Sequence, residues 1–344
     1  MTTVAPPASQ SRRSAGRSAQ VSWRRLGWVT WRQHRVAVTG LLAVFALAAV
    51  LLAVTGVQLH GAAIRLGPGW MDSRYWFRYH FIALDAAVIA IQAMPVLAGM
   101  FLGAPLLARE AENGTTRLAW TQAVSRTKLL VGKVLVMAVL LASAAAGVGL
   151  EFNWWLTRPS RSGQFAAAWA FGSRASWGPA FFGLHPLPFA GWVTLGLSLG
   201  VLLGAAIRRT VPAMAAMLAC YIALLSVTTA FWRMAYLPPV HRRIPVQFAA
   251  GGGYGYSAYW GSQRGPGPDI LSSALGWPDG RLLSNAQIAR HATAWFWLHH
   301  IKLWVTYQPG SRYGLFQAIE FGWLVTLSAI LIAATVVLIR RRDA

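Results

Sequence analysis

The chain has 344 residues, of which 56% are hydrophobic and 12% charged, with a mean hydropathy of +0.46. That is too apolar for a soluble domain of this length, so the bilayer is the expected solvent. Lys and Arg total 31 against 9 Asp and Glu, a formal charge of +22, yet the basic residues sit just outside long apolar runs and carry no helix-turn-helix, zinc-finger or RNA-binding pattern, so no nucleic-acid partner is expected.

Residues 1–20, rich in Ser, Ala, Pro and Arg, read as a disordered cytoplasmic tail. Residues 21–35 mix Trp23, Leu26, Trp28, Val29 and Trp31 with Arg24, Arg25, Arg32 and Arg35. That mixture predicts an amphipathic helix lying at the membrane interface, with a solvated basic segment as the alternative. The first span is expected over 36–57. Its apolar run is longer than that of a signal peptide and has no small-residue cleavage site, so it stays as an anchor.

Runs of spanning length follow at 85–107, 129–150, 187–207, 211–230 and 315–339. The prediction is an all-α polytopic membrane protein of six transmembrane helices, five within 36–230 and the sixth within 314–344, where it ends in a basic stretch. Between the fifth and sixth lies a large loop, 231–313, expected as a partly ordered external cap with an amphipathic helix over 284–306. The lone cysteine, Cys220, rules out an intrachain disulfide or cysteine metal site and reads as a small buried core residue.

Orientation follows from basic residues near span ends. The N-terminal tail, the inner loop 108–128, Arg208 with Arg209, and Arg340, Arg341 and Arg342 carry Lys and Arg more densely than the opposite side. This places both termini in the cytoplasm of a multi-pass cell-membrane protein. Gly99 with Gly103, and Gly196, Gly200 and Gly204, recur at every fourth position and give two helix faces without side chains, suited to close packing in a bundle or a dimer. Three charges fall within or at the edge of spans: Asp85, Lys133 and Glu320. Each reads either as an interfacial charge, Lys133 snorkelling to the headgroups, or as part of an ion or proton path.

The pair Gly132-Lys133 has no glycine five residues before it and is followed by Val134, so it is not a Walker A sequence. HExxH, GxSxG and zinc spacings are also lacking, and His291, His299 and His300 form only a loose group. No catalytic residue, cofactor or metal is expected. The inner loop holds the most information. Gly114 can take positive φ and end the preceding helix, Thr115 or Thr116 can cap the next, and Leu118, Trp120 and Val124 would offer an apolar surface to a partner.

An acidic residue, Gly-Thr, a short helix, Ser-Arg and a Gly-Lys re-entry stand here as Glu112, Gly114, Thr115, Ser125, Arg126, Gly132 and Lys133. This order resembles the loop between the second and third spans of ABC transporter permeases of the type 2, drug-export class. The segment Thr30-Trp31-Arg32-Gln33-His34-Arg35, and Tyr307-Gln308-Pro309-Gly310-Ser311-Arg312-Tyr313 with Phe316, Gln317, Ile319 and Glu320, also look like actinobacterial permeases of this group. A departure is Leu118-Ala119-Trp120-Thr121-Gln122, where many such permeases carry a more leucine-rich run.

The resemblance implies a membrane subunit that exports a small molecule, drug or lipid. It would pair with itself or a second permease and be driven by a separate cytoplasmic ABC ATPase. That ATPase would bear on Glu112, Gly114, Thr115, Leu118, Trp120, Val124, Ser125 and Arg126. Two other classes stand beside it: a proton-coupled secondary transporter using Asp85 and Glu320, and a non-transporting immunity or sensory membrane protein.

Overall fold

The structure, a computed structural model, describes residues 23–66, 87–112, 126–157, 177, 179–248, 254–255, 269–291 and 293–343. Six described helices are long and apolar enough to cross a bilayer: Arg35–Gln58, Ala87–Glu112, Leu129–Trp154, Pro186–Ile207, Thr210–Ala235 and Gly310–Arg342. They coincide with the six predicted runs. Several continue past the predicted ends because polar terminal turns stay helical once their side chains find partners. The first span belongs to one unbroken 44-residue helix, Trp23–Leu66. Residues 23–35 are thus turns of the same helix as the span, with no proline to separate them.

The fourth span is the hub and packs against the second, third, fifth and sixth. Pro186 occupies its first turn, where a missing N–H costs nothing, and His185 precedes it in extended conformation. At the other end Arg208 takes a left-handed backbone (φ 58°) and its N–H closes on the Gly204 carbonyl at 3.0 Å. Arg209 is extended and starts the fifth span, so the two helices are joined by a two-residue turn.

The two glycine stripes face each other inside one chain. A Cβ added at Gly99 would strike the Gly196 carbonyl, at Gly103 the Leu197 carbonyl, at Gly196 the Pro95 carbonyl, at Gly200 the Gly99 carbonyl and at Gly204 the Ala104 carbonyl. Backbone therefore rests on backbone along the contact of the second and fourth spans. Within it the second span widens into a π-helical turn, Ala98–Gly103, where the Ala104 N–H reaches the Gly99 carbonyl five residues back.

Burial within the chain is uneven: 67% of the fourth span's apolar stretch is covered, against 17% for the fifth and the sixth. Cys220, on the fifth span, is exposed. That corrects its expected place in the core, because an apolar run in a membrane helix marks contact with lipid as readily as contact with protein.

Beyond the fifth span the chain builds a small domain on an antiparallel sheet, in the order β1 (Val240–Pro245), β5 (Lys302–Gln308) and β4 (Asp269–Gly276). A two-stranded ladder of β2 (Gln247–Phe248) and β3 (Tyr254–Gly255) lies beside it in sequence. Ile244, Leu275, Leu303 and Val305 pack with Phe296 into a core of its own. The expected helix over 284–306 is corrected here. A capping box of Ser284 and Gln287 starts Asn285–Arg290, a second short helix covers Thr293–Leu298, and β5 follows. In β5, Leu303, Val305 and Tyr307 are buried alternately with half-exposed Lys302, Trp304 and Thr306, the period of a strand. Among the described residues the six spans are helical, so the sheet is an addition to the all-α class.

Candidate functional site

The basic end of the bundle is held by a set of polar clasps. Glu112, the last residue of the second span, accepts the Thr210 N–H at 2.7 Å and the Thr210 hydroxyl at 2.6 Å, satisfying the open start of the fifth span in place of a local cap. Thr210 thereby places two donors on one carboxylate. Lys133 is 7% exposed. It reaches Glu110 on the second span at 3.4 Å, joining the helices on either side of the inner loop.

The sixth span closes the set: Arg340 Nε donates to Thr127 Oγ1 at 3.4 Å, and Arg342 Nη1 donates to the Ala205 carbonyl at 2.7 Å. Arg342 satisfies one of the open carbonyls at the fourth span's end, where a cation also suits the helix dipole. Of the residues expected to meet an ATPase, Glu112 is placed in this clasp and Arg126 begins the third-span helix Arg126–Thr157. Gly114, Thr115, Leu118, Trp120, Val124 and Ser125 lie outside the described residues, as does Asp85.

At the opposite end lies a second polar centre, buried within the chain. Glu320 on the sixth span has 0% exposure and Arg233 on the fifth has 1%. Arg233 Nε donates to Glu320 Oε2 at 3.0 Å and Nη2 to Oε1 at 2.9 Å, a two-pronged pair. Trp192 Nε1 donates to Oε1 at 2.9 Å and the Tyr236 hydroxyl to Oε2 at 3.3 Å, so four donors converge on one carboxylate. The third prong of Arg233, Nη1, donates to the Trp177 carbonyl at 3.1 Å, and its Cζ lies 4.2 Å over the Phe182 ring. Burial in this aromatic setting, with the Glu320 charge beside it, pushes the Tyr236 hydroxyl well above its ordinary pKa, so it serves as a donor.

Arg233 is the residue that reading the sequence missed. The fifth span was expected to end at 230, and helical phase set by buried Tyr221 and Thr228 points Trp232 inward instead. The structure inserts a π-helical turn, Thr228–Trp232, in which the Arg233 N–H bonds to the Thr228 carbonyl five residues back. The extra residue brings Arg233 into line with Thr228, and Trp232 is left 47% exposed. A charged residue just past an apparent span end, opposite an acidic one in another span, is the signal that would have found it.

The histidines sit in the distal domain, where His291 and His299 flank Trp295 with centroids 3.8 Å and 4.3 Å from it. They form a ring stack on a helix face rather than a ligand set.

A family model described as ABC-2 membrane transporter related matches residues 41–233. The chain belongs to the ABC-2 membrane transporter related family. The match runs from within the first span to Arg233 in the fifth and includes both glycine stripes and the Glu112 clasp, so this ABC-2 permease carries its sheet domain and sixth span beyond the matched region. No curated protein and no solved structure matches the chain.

Proposed function

We propose that this ABC-2 permease is the membrane subunit of an exporter for a small molecule, drug or lipid, powered by a separate ATPase that bears on residues 110–126. Two six-span bundles, either two copies or one with a second permease, would enclose the pathway in the cell membrane, with the basic end and both termini in the cytoplasm. The observation that carries the reading is the clasped basic end. The helix entering the loop is tied to the fifth span by Glu112, the helix leaving it is tied to the second by Lys133 and to the sixth by Arg340, and the sixth is tied to the fourth by Arg342.

A push on the loop is thereby shared by the second to sixth spans and becomes a rigid tilt of the bundle, which changes access by conformation rather than by chemistry in this chain. Exchange through Asp85 and Glu320 is the weaker reading, because both oxygens of the fully buried Glu320 carboxylate are already engaged by four donors, two of them on a guanidinium.

The test is affinity purification of the tagged protein from its native membrane, comparing wild type with Leu118→Asp plus Trp120→Ala. Glu112 is left intact because its substitution would also loosen the fifth span. An ATPase that accompanies wild type and is lost from the double variant at equal expression supports the reading. A wild type without any ATPase sinks it.

A further inference from the structure

The buried centre between the fourth, fifth and sixth spans has the chemistry of a binding site whose occupant is at present a side chain of the protein. We propose that the cage around Glu320 is a binding site for organic cations of guanidinium or quaternary ammonium type, and that Arg233 holds it as an internal stand-in for cargo. The proposal deepens the transport reading by naming a substrate class, and it rests on that reading.

What surrounds the guanidinium is what recognises an organic cation. A fully buried carboxylate supplies the counter-charge and the Trp177 carbonyl supplies a further acceptor. The Phe182 face lies 4.2 Å from Cζ. Trp177 stands edge-on to Tyr313 and to Phe316, with centroids 5.0 and 5.1 Å apart, which fixes the aromatic wall. Aromatic faces combined with a carboxylate bind weakly hydrated cations and disfavour strongly hydrated ones, because only the former give up their water cheaply. Trp192 and Tyr236 hold the carboxylate from the other side, so the cage keeps its counter-charge oriented whichever cation fills it.

The fifth span contains the means for Arg233 to leave. Its inward direction depends on the π turn Thr228–Trp232. If that turn relaxes to ordinary α geometry, the helix beyond it shifts by one residue, about 100° around the axis: Arg233 leaves the carboxylate for the position of half-buried Met234, and Trp232 turns inward as an aromatic neighbour of the cage. Unlike a helix break, this shift keeps the backbone bonded throughout. Glu320 would then be a buried carboxylate without a cation, which does not persist at such depth, so release of Arg233 and entry of a cationic ligand are two halves of one exchange.

The test uses the full-length chain in lipid nanodiscs, with n-butylguanidinium as probe and n-butylurea as its uncharged match. In Arg233→Ala the cage is vacant. Butylguanidinium should raise the unfolding temperature saturably, with a half-saturating concentration at least about tenfold below that of wild type, while butylurea has no effect and adding Glu320→Gln abolishes the response. A folded Arg233→Ala protein that responds no better than wild type, or equally to both probes, overturns the proposal.

If Arg233→Ala does not fold, wild type decides. Filter binding of radiolabelled butylguanidinium that is displaced by unlabelled butylguanidinium but not by butylurea, and is weakened several-fold in Phe182→Leu, supports the cage; no displaceable binding overturns it. Neither arm needs the ATPase. Loss of cation binding in a protein that still carries an ATPase overturns the cage alone, and cation binding without any ATPase partner overturns the exporter reading alone.

Discussion

Glu112 closes the start of the fifth span from 98 residues away, its carboxylate taking both the N–H and the hydroxyl of Thr210. A side chain that satisfies a helix start across the fold ties two spans together at a point where each would otherwise end in open backbone groups. Glu112→Ala removes both acceptors and Glu112→Gln keeps one carbonyl oxygen. Thermal unfolding in detergent should therefore rank wild type above Gln and Gln above Ala. Equal midpoints for all three would show that the clasp contributes nothing.

Glycines in the facing stripes and glycines in open positions should respond oppositely. Gly200→Leu drives a side chain into the Gly99 carbonyl and should cost at least about 1–3 kcal/mol, the range for overpacking. At Gly147 nothing lies within 4 Å of an added Cβ, so Gly147→Ala should be neutral or stabilise by up to about 1 kcal/mol through helix propensity. Unfolding midpoints of the two variants, measured side by side, check the contrast.

Breaking the buried pair from one side should be more damaging than removing it. Arg233→Ala or Glu320→Gln leaves an uncompensated partner, at a cost of roughly 3–5 kcal/mol, while Arg233→Met with Glu320→Gln should recover much of the loss. A double-mutant cycle on unfolding free energy reads this directly. Additive losses would mean that the two side chains do not act as a pair.

His185, just ahead of the fourth span, is 8% exposed and edge-on to Tyr313 at 5.1 Å. Burial lowers its pKa from 6.5 to about 4. The unfolded chain therefore takes up a proton first as pH falls. The stability this residue contributes is complete above pH 6.5, declines between 6.5 and about 4, and loses no more below that, for a total of at most about 3 kcal/mol. Unfolding midpoints from pH 8 to 4 should show that decline in wild type and a shallower one in His185→Phe. An unchanged profile in the variant would assign the pH dependence elsewhere.

The six spans were legible in the sequence because a run of about 20 apolar residues has few other uses, and the glycine stripes because every fourth position lies on one helix face. That the two stripes would meet each other within one chain was not legible, since nothing in either stripe names its partner. Arg233 was hidden by the π turn before it: an added residue per turn breaks the period on which facing is judged. In the distal domain the alternation of Leu303, Val305 and Tyr307 was present but was absorbed into an expected helix, because the capping box at Ser284 is a true helix start and the stop that follows at His291 carries no glycine or proline. Cys220 was misread for a reason peculiar to membranes, where apolar sequence marks lipid and core alike.

The strands of the distal domain leave and rejoin the membrane helices at one place. Gln308 Nε2 donates to the Leu237 carbonyl at 2.7 Å, Arg312 Nη1 to the Pro238 carbonyl at 2.8 Å, and Val240 pairs with Tyr307. An insert whose two ends already touch is a detachable module. Excising 240–307 and closing the gap with a few residues should leave the fifth and sixth spans as a plain helical hairpin with the Arg233–Glu320 pair in place beneath it. The sheet can then be exchanged or lost without rebuilding the bundle that carries it.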